Sequence, residues 1–326
     1  MKPRLLLVGR TTPRVLAALE DAFVVDKGAE TADWDAYLAA NGAAIEAVAT
    51  NGHDGLKPEI MARLPNLKII SCFGVGYDAI DAKAAAARGI VVTHTPNVLN
   101  KDVANTAIAL MLAVSRRIVR DDAYVRAGKW SGFGAAQLTQ SIEGKKVGIV
   151  GLGRIGETIA HKLVAAFDCD IAYHTRRKRA DVPWRHYADL VEMARDVDFL
   201  VVITPGGAAT TKLIGRAVIE ALGPEGTLIN IARGSVVDEP ELVAALLDGR
   251  LGAAGLDVFA DEPHVPAELF PLDNVVLLPH VGSATVETRR AMGDLTVENL
   301  LRFFGEGKVT SPVPECAHLP AAGGTA

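Results

Sequence analysis

Residues 145–163, KKVGIVGLGRIGETIAHKL, set a short Val/Ile-rich run against Gly151, Gly153 and Gly156 and follow it with a helical pattern. A strand that turns on three glycines spaced G-x-G-x-x-G and enters a helix has one well-understood use. The first glycine allows a tight turn, the second lets the backbone approach a pyrophosphate, and the third lets helix and strand pack closely. With the intervening Leu152, Arg154 and Ile155, these glycines form a candidate dinucleotide-phosphate loop. The motif alone is weak, but here strand, glycines, helix and next strand follow in the required order.

The rest of the chain repeats that rhythm. In the first third, LLLV (5–8), AFVV (22–25), IEAVAT (45–50), LKIISC (67–72) and GIVVTH (89–94) read as strands, with helical patterns such as 57–64 and 81–88 between them. From residue 146 the alternation restarts with KVGIVG, IAYHT, DFLVVIT, TLINIA, AAGLDVF and NVVLLP. Apolar strands alternating with helices predict parallel sheets covered on both faces, so the expected class is α/β with two doubly wound parallel-sheet domains. Between the two sets, DVANTAIALMLAVSRR (102–117) is apolar nearly all round and predicts a helix buried on most sides, as core or as interface. Residues 284–304 predict a long amphipathic helix, and the small, polar tail from 317 predicts disorder.

Composition narrows the function. The formal net charge of −5 disfavours nucleic acid and anionic membrane surfaces as partners. No run approaches the length of a membrane span, and the N-terminus lacks a signal-peptide core. Cys72, Cys169 and Cys316 are far apart and show no metal-ligand spacing, so no metal site is expected and a reducing cytoplasm is.

Against that acidic balance, IAYHTRRKR (171–179) ends in four consecutive cations. Its position is informative, because about twenty residues past the glycine loop a carboxylate normally takes the ribose hydroxyls of NAD, whereas an Arg accommodates the NADP phosphate. No Asp or Glu occupies 173–180. Thr175, Arg176 and Arg177 are therefore read as a phosphate-binding cluster that favours NADP(H) over NAD(H), with a solvated charged loop as the alternative. Lys178 and Arg179 are expected to be solvated.

Three further polar residues share one address. Arg233 ends TLINIARG, Glu262 follows AAGLDVFADEP, and His280 ends NVVLLPH, each just beyond the C-terminal end of an expected strand. In open α/β sheets that edge binds ligands.

At this point a family resemblance is plain. SCFGVGYDAIDAKAAAARGIVVTHTP, VGIVGLGRIG, LINIARGSVVDEPELVAAL, GLDVFADEP and LPHVGSATVETRRAM together resemble the D-2-hydroxyacid dehydrogenases over nearly the whole chain. TPNVLNKDVANTAIALMLAVSRRI and the Arg-bearing loop are most similar to the glyoxylate/hydroxypyruvate reductase branch. The resemblance implies a Rossmann cofactor domain, residues 100–286, inserted in a flavodoxin-like substrate domain, residues 1–99 and 287–326. It also implies an active site in the cleft between them and reduction of a small 2-oxo acid. His280 would donate the proton, Glu262 would hold its imidazole, and Arg233 would grip the substrate carboxylate and polarise the keto oxygen. The backbone N–H groups of Val75 and Gly76 would hold the carboxylate as well. Asp257 would contact the nicotinamide amide, and Thr204, Pro205, Ile231, Ala232 and Gly282 would line the cofactor. Relatives are dimers through the cofactor domain, and Trp130 is open between reaching a neighbouring site and packing at the surface. Rival readings are a sister enzyme of phosphoglycerate or D-lactate type, although 326 residues leave no room for an added regulatory domain, and a nicotinamide-sensing binding protein on the same fold. Formate dehydrogenase is disfavoured, since such relatives carry Gln where this chain has Glu262.

Overall fold

Leu5, Leu6 and Leu7 show how the first sheet sorts its side chains. In the computed structural model, which describes residues 2–31, 33–133 and 136–323, Leu6 packs into one core cluster and Leu5 and Leu7 into another. That is the two-residue period of a strand covered on both sides. The chain divides into two compact units, Met1–Leu99 with Thr285–Ala326 and Asn100–Ala284.

The first unit holds β1 (Arg4–Leu7), β2 (Val24–Lys27), β3 (Ile45–Asn51), β4 (Ile69–Phe73) and β5 (Val91–Thr93), all parallel and ordered β2-β1-β3-β4-β5. Helices α1 (Pro13–Ala22), α2 (Trp34–Asn41), α3 (Pro58–Ala62) and α4 (Ala82–Ala87) connect them. This is the flavodoxin-like order. The stretch 22–25 begins as helix, because Ala22 closes α1 and the strand starts only at Val24.

The second unit begins with α5 (Asn100–Ser115) and α6 (Ile118–Arg126). Its sheet contains β6 (Lys146–Val150), β7 (Asp170–His174), β8 (Arg185–Tyr187), β9 (Phe199–Val202), β10 (Thr227–Asn230), β11 (Ala253–Leu256) and β12 (Val275–Leu277). These are parallel and ordered β12-β11-β10-β9-β6-β7-β8, with α7 (Arg154–Phe167), α8 (Leu190–Asp196), α9 (Arg216–Leu222) and α10 (Glu239–Asp248) as crossovers. Read from the β8 end, the order is that of a dinucleotide-binding sheet with one strand added, and its direction reverses between β6 and β9. Strands β9, β10 and β11 are buried along their whole length. The edge strand β8, sequence RHY, carries no apolar run and so escapes a hydrophobicity reading.

α11 (Val286–Glu306) returns the chain to the first unit and packs on α1 so closely that a Cβ on Gly293 would lie 2.5 Å from Val15 Cγ2. Two expectations are corrected. α5 is buried along one broad face (Val103, Ala104, Ala107, Leu110, Met111, Val114, Ser115), while Lys101, Asn105 and Ala109 are exposed. Exposed Ala109 and half-buried Ala113 made the pattern look apolar all round. The tail is ordered through residue 323: Val309 N–H donates to the Ala321 carbonyl at 2.9 Å, and Leu319 and Ala321 pack against the core. Residues 324–326 lie outside the described residues. Among the described residues no helix is long and apolar enough to cross a membrane.

Candidate active site

Gly151 leaves β6 with φ +100°, and a Cβ there would sit 2.8 Å from the backbone of Thr204, so only glycine lets this turn lie against the end of β9. Gly156 meets a similar limit inside α7, where a Cβ would lie 2.4 Å from the Gly151 carbonyl oxygen. Gly153 faces open space. Helices α1, α2, α4, α8 and α11 all start on a Thr or Asp side chain that accepts a first-turn N–H. α7 starts on Gly153 with no such cap. The first-turn N–H groups of Arg154, Ile155 and Gly156 therefore point at an open position without an acceptor among the described residues. An uncapped N-terminus with room in front of it is where a pyrophosphate fits.

Beside that turn, β7 ends in the basic run. Thr175 Oγ1 donates to the Arg177 carbonyl at 2.7 Å, and His186 Nε2 bonds the Thr175 carbonyl at 3.0 Å, fixing the turn to β8. Arg176, Arg177 and Lys178 are exposed and their side chains make no hydrogen bond or ion pair among the described residues. Arg179, expected to be solvated, is instead fully engaged. Its Nη1 donates to the Leu152 carbonyl at 3.0 Å and to Glu157 Oε2 at 2.8 Å, and its Nε donates to Asp181 Oδ1 at 3.0 Å.

The three residues at the other end of the sheet are positioned by the turns that carry them. Asn230, buried at the end of β10, donates from Nδ2 to the Arg233 carbonyl at 3.1 Å and accepts the Ala232 N–H at 3.1 Å. This closes the turn through Ile231 and Ala232, and Arg233 Nη1 donates to the Ala232 carbonyl at 2.7 Å. The next residue, Gly234, lies against the loop after β11, since a Cβ there would be 1.9 Å from the Phe259 carbonyl carbon. That contact brings the Arg233 turn beside the Glu262 loop. Glu262 Oε1 accepts the Phe259 N–H at 3.1 Å, and its Oε2 lies 2.7 Å from His280 Nδ1.

A carboxylate accepts only, so Nδ1 of His280 carries the proton of that bond and Nε2 is the end outside it. His280 sits at φ +53°, held by its N–H to the Asp257 carbonyl at 2.8 Å. The Asp257 side chain, 1% exposed, accepts the N–H groups of Val281 (2.7 Å) and Gly282 (2.9 Å), while burial pushes its carboxyl above the usual carboxylate range. Asp257 thus holds the β12 turn that carries His280. Thr204 abuts Gly151, the Pro205 carbonyl accepts Thr210 Oγ1 at 2.7 Å, and the Ile231 side chain lies beside Gly282.

Val75 and Gly76 belong to the first unit, in the turn after β4. The carbonyls of that turn are all occupied: Gly74 accepts the Thr95 N–H at 2.8 Å, Val75 accepts His94 Nδ1 at 2.9 Å, and Gly76 faces Cys72 Sγ at 3.8 Å. The N–H groups of Val75 and Gly76 have no acceptor among the described residues. Two adjacent free donors on a backbone held by its carbonyls suit an anion. His94, Asn230 and Arg179 are the positioning residues that sequence reasoning missed. All three lie inside stretches the sequence singled out, but the carbonyl each one holds, at Val75, Arg233 and Leu152, shows only in the folded chain. Trp130 is exposed and stacks edge-on to Phe133 at 6.5 Å.

Residues 108–282 match the model of the D-isomer specific 2-hydroxyacid dehydrogenase NAD-binding domain. The chain is 52% identical over 277 residues to a hydroxyphenylpyruvate reductase of Plectranthus scutellarioides, covering 85% of this chain and 88% of that one. It is 52% identical over 269 residues to a glyoxylate/hydroxypyruvate reductase of Arabidopsis thaliana, covering 82% and 85%. Among solved structures, the NADPH-dependent glyoxylate/hydroxypyruvate reductase of Sinorhizobium meliloti, in complex with NADP and malonate, superposes with TM-score 0.91. The identity there is 46%, over 97% of this chain and 98% of that one.

Proposed function

The chain belongs to the D-isomer specific 2-hydroxyacid dehydrogenase family, and from that premise we propose that it reduces glyoxylate and hydroxypyruvate to glycolate and D-glycerate, with NADPH preferred over NADH. The observation that carries the chemistry is the 2.7 Å bond between His280 Nδ1 and Glu262 Oε2, on loops packed beside the Arg233 turn.

The uncapped start of α7 fits the pyrophosphate of a nicotinamide dinucleotide, and that cofactor, when bound, supplies the hydride. The chain's residues supply the rest. Arg233, with a planar fork of donors, holds the substrate carboxylate and polarises the keto oxygen. The N–H pair of Val75 and Gly76 holds the same carboxylate. His280 Nε2 gives its proton to the oxygen as hydride reaches the carbon, so the C=O double bond becomes a C–H and an O–H bond. Glu262 keeps the ring in one orientation and stabilises the charged imidazole before transfer. Asp257, Ile231, Ala232, Gly282, Thr204 and Pro205 are assigned to the nicotinamide side, and Thr175, Arg176 and Arg177 to the adenosine 2′-phosphate.

The NADPH preference is supported by three unpaired cations, and no carboxylate, where the ribose is read. A homodimer through the second unit is supported by its run of exposed apolar side chains, Ile118, Val119, Val125, Trp130, Phe133 and Leu138. Light scattering at twice the mass of one chain is the expected result, and a monomer contradicts it. Three buried cysteines outside any disulfide among the described residues suit a reducing cytoplasm; disulfide-linked cysteines in the native protein would contradict it.

The test is NADPH and NADH oxidation with glyoxylate, hydroxypyruvate, pyruvate, 3-phosphohydroxypyruvate and 4-hydroxyphenylpyruvate. The highest kcat/KM is expected for glyoxylate or hydroxypyruvate with NADPH. A clear lead for 4-hydroxyphenylpyruvate would assign a bulkier substrate, and no turnover with any acid would favour a binding protein.

A further inference from the structure

Of the four consecutive cations at 176–179, three are exposed with unpaired side chains and one is committed to the protein. Arg179 reaches three separate pieces of chain: the Leu152 carbonyl inside the glycine loop, Glu157 in the first turn of α7, and Asp181 just beyond the run. Its own backbone is fastened too. The Tyr173 hydroxyl, on a side chain fully buried in β7, accepts the Arg179 N–H at 2.9 Å and donates to the Arg179 carbonyl at 3.2 Å. With the Thr175–Arg177 and His186–Thr175 bonds, the turn from 175 to 179 is tied at both ends, and Arg176, Arg177 and Lys178 are presented outward.

We infer that Arg179 is a positioning residue for cofactor choice: it staples the 2′-phosphate turn to the glycine loop and neutralises Glu157 and Asp181, the two carboxylates nearest to it. The inference rests on the NADPH reading above. An adenosine 2′-phosphate carries a charge near −2, so carboxylates left without Arg179 would oppose it, while NADH has nothing there to oppose. The planar fork makes four such bonds at once, two of them to Asp181, which exceeds the three donors of an ammonium. The two carboxylates hold the Arg179 pKa above its ordinary value, and Arg179 holds Asp181 below its own.

The experiment measures KM and kcat for NADPH and NADH, with glyoxylate, in the full-length enzyme and in Arg176→Ala, Arg179→Ala, Arg179→Lys and the double variant Glu157→Gln/Arg179→Ala. Arg179→Ala is expected to raise KM for NADPH about tenfold or more and KM for NADH by less than about threefold, with kcat nearly unchanged. Adding Glu157→Gln is expected to restore part of the NADPH affinity, which a purely structural staple would not allow. If Arg179→Ala does not fold, Arg179→Lys is read by the same ratio and is expected to fall between wild type and Arg176→Ala. An equal rise in KM for both cofactors, or no rise, overturns the inference. Loss of NADPH preference in Arg176→Ala beside an unaltered ratio in the Arg179 variants overturns this inference alone. An unaltered ratio in Arg176→Ala overturns the 2′-phosphate reading and the inference with it.

Discussion

His280 owes its chemistry to one atom and its placement to others. The carboxylate of Glu262 occupies Nδ1, and the backbone of Asp257 holds the residue in a left-handed conformation that non-glycine residues rarely adopt. Glu262→Gln keeps the shape but removes the charge, and an amide can offer Nδ1 either a donor or an acceptor. The expected loss in kcat is about 10²–10⁴-fold, with KM for NADPH little changed, measured by steady-state kinetics. A loss below tenfold would mean that Glu262 does not orient or support the imidazole. The identity of these polar residues was legible in the sequence because each follows a recognisable strand. The residues that aim them were not. Asn230 ends a strand like any polar residue, and His94 acts on the Val75 carbonyl from a separate strand end. Arg179 closes a run of four cations and so was read as solvated, and only the fold places Glu157 and Leu152 beside it.

At the scale of elements, the turn from β6 into α7 carries the tightest constraint. A methyl group on Gly156 would lie 2.4 Å from the Gly151 carbonyl oxygen and 3.2 Å from Ile149 Cγ2, so helix and strand must separate to admit it. Gly156→Ala is expected to cost about 1–3 kcal/mol of stability and to weaken NADPH binding, read as a lowered Tm and a smaller NADPH-induced rise in Tm. An unchanged Tm and an unchanged NADPH response would show that the packing is looser than the distances imply. Six of the seven strands of this sheet were legible because each carries an apolar run, five of them between two neighbours and β12 at the far edge. β8 was not, since an edge strand of Arg, His and Tyr satisfies its one inner neighbour without such a run. α5 was over-read in the opposite direction: Ala109 counts as apolar in a pattern, yet costs little where it faces outward beside Lys101 and Asn105.

Across the whole molecule, two parallel sheets of different strand order share one chain, and the last helix rejoins the unit in which the chain began. The first unit carries a pair of backbone N–H groups without an acceptor among the described residues, and the second carries the glycine loop, the basic turn and the Arg233, Glu262 and His280 group. The account stands or falls on His280 as the proton donor to a 2-oxo acid. The most direct measurement is the rate of NADPH oxidation with glyoxylate in wild type and His280→Ala, with the NADPH dissociation constant of each determined by fluorescence titration. Wild type is expected to turn over, and His280→Ala to lose about 10²–10⁴-fold in kcat while binding NADPH within about twofold of wild type. Comparable turnover in the variant, or loss of NADPH binding, would contradict the assignment.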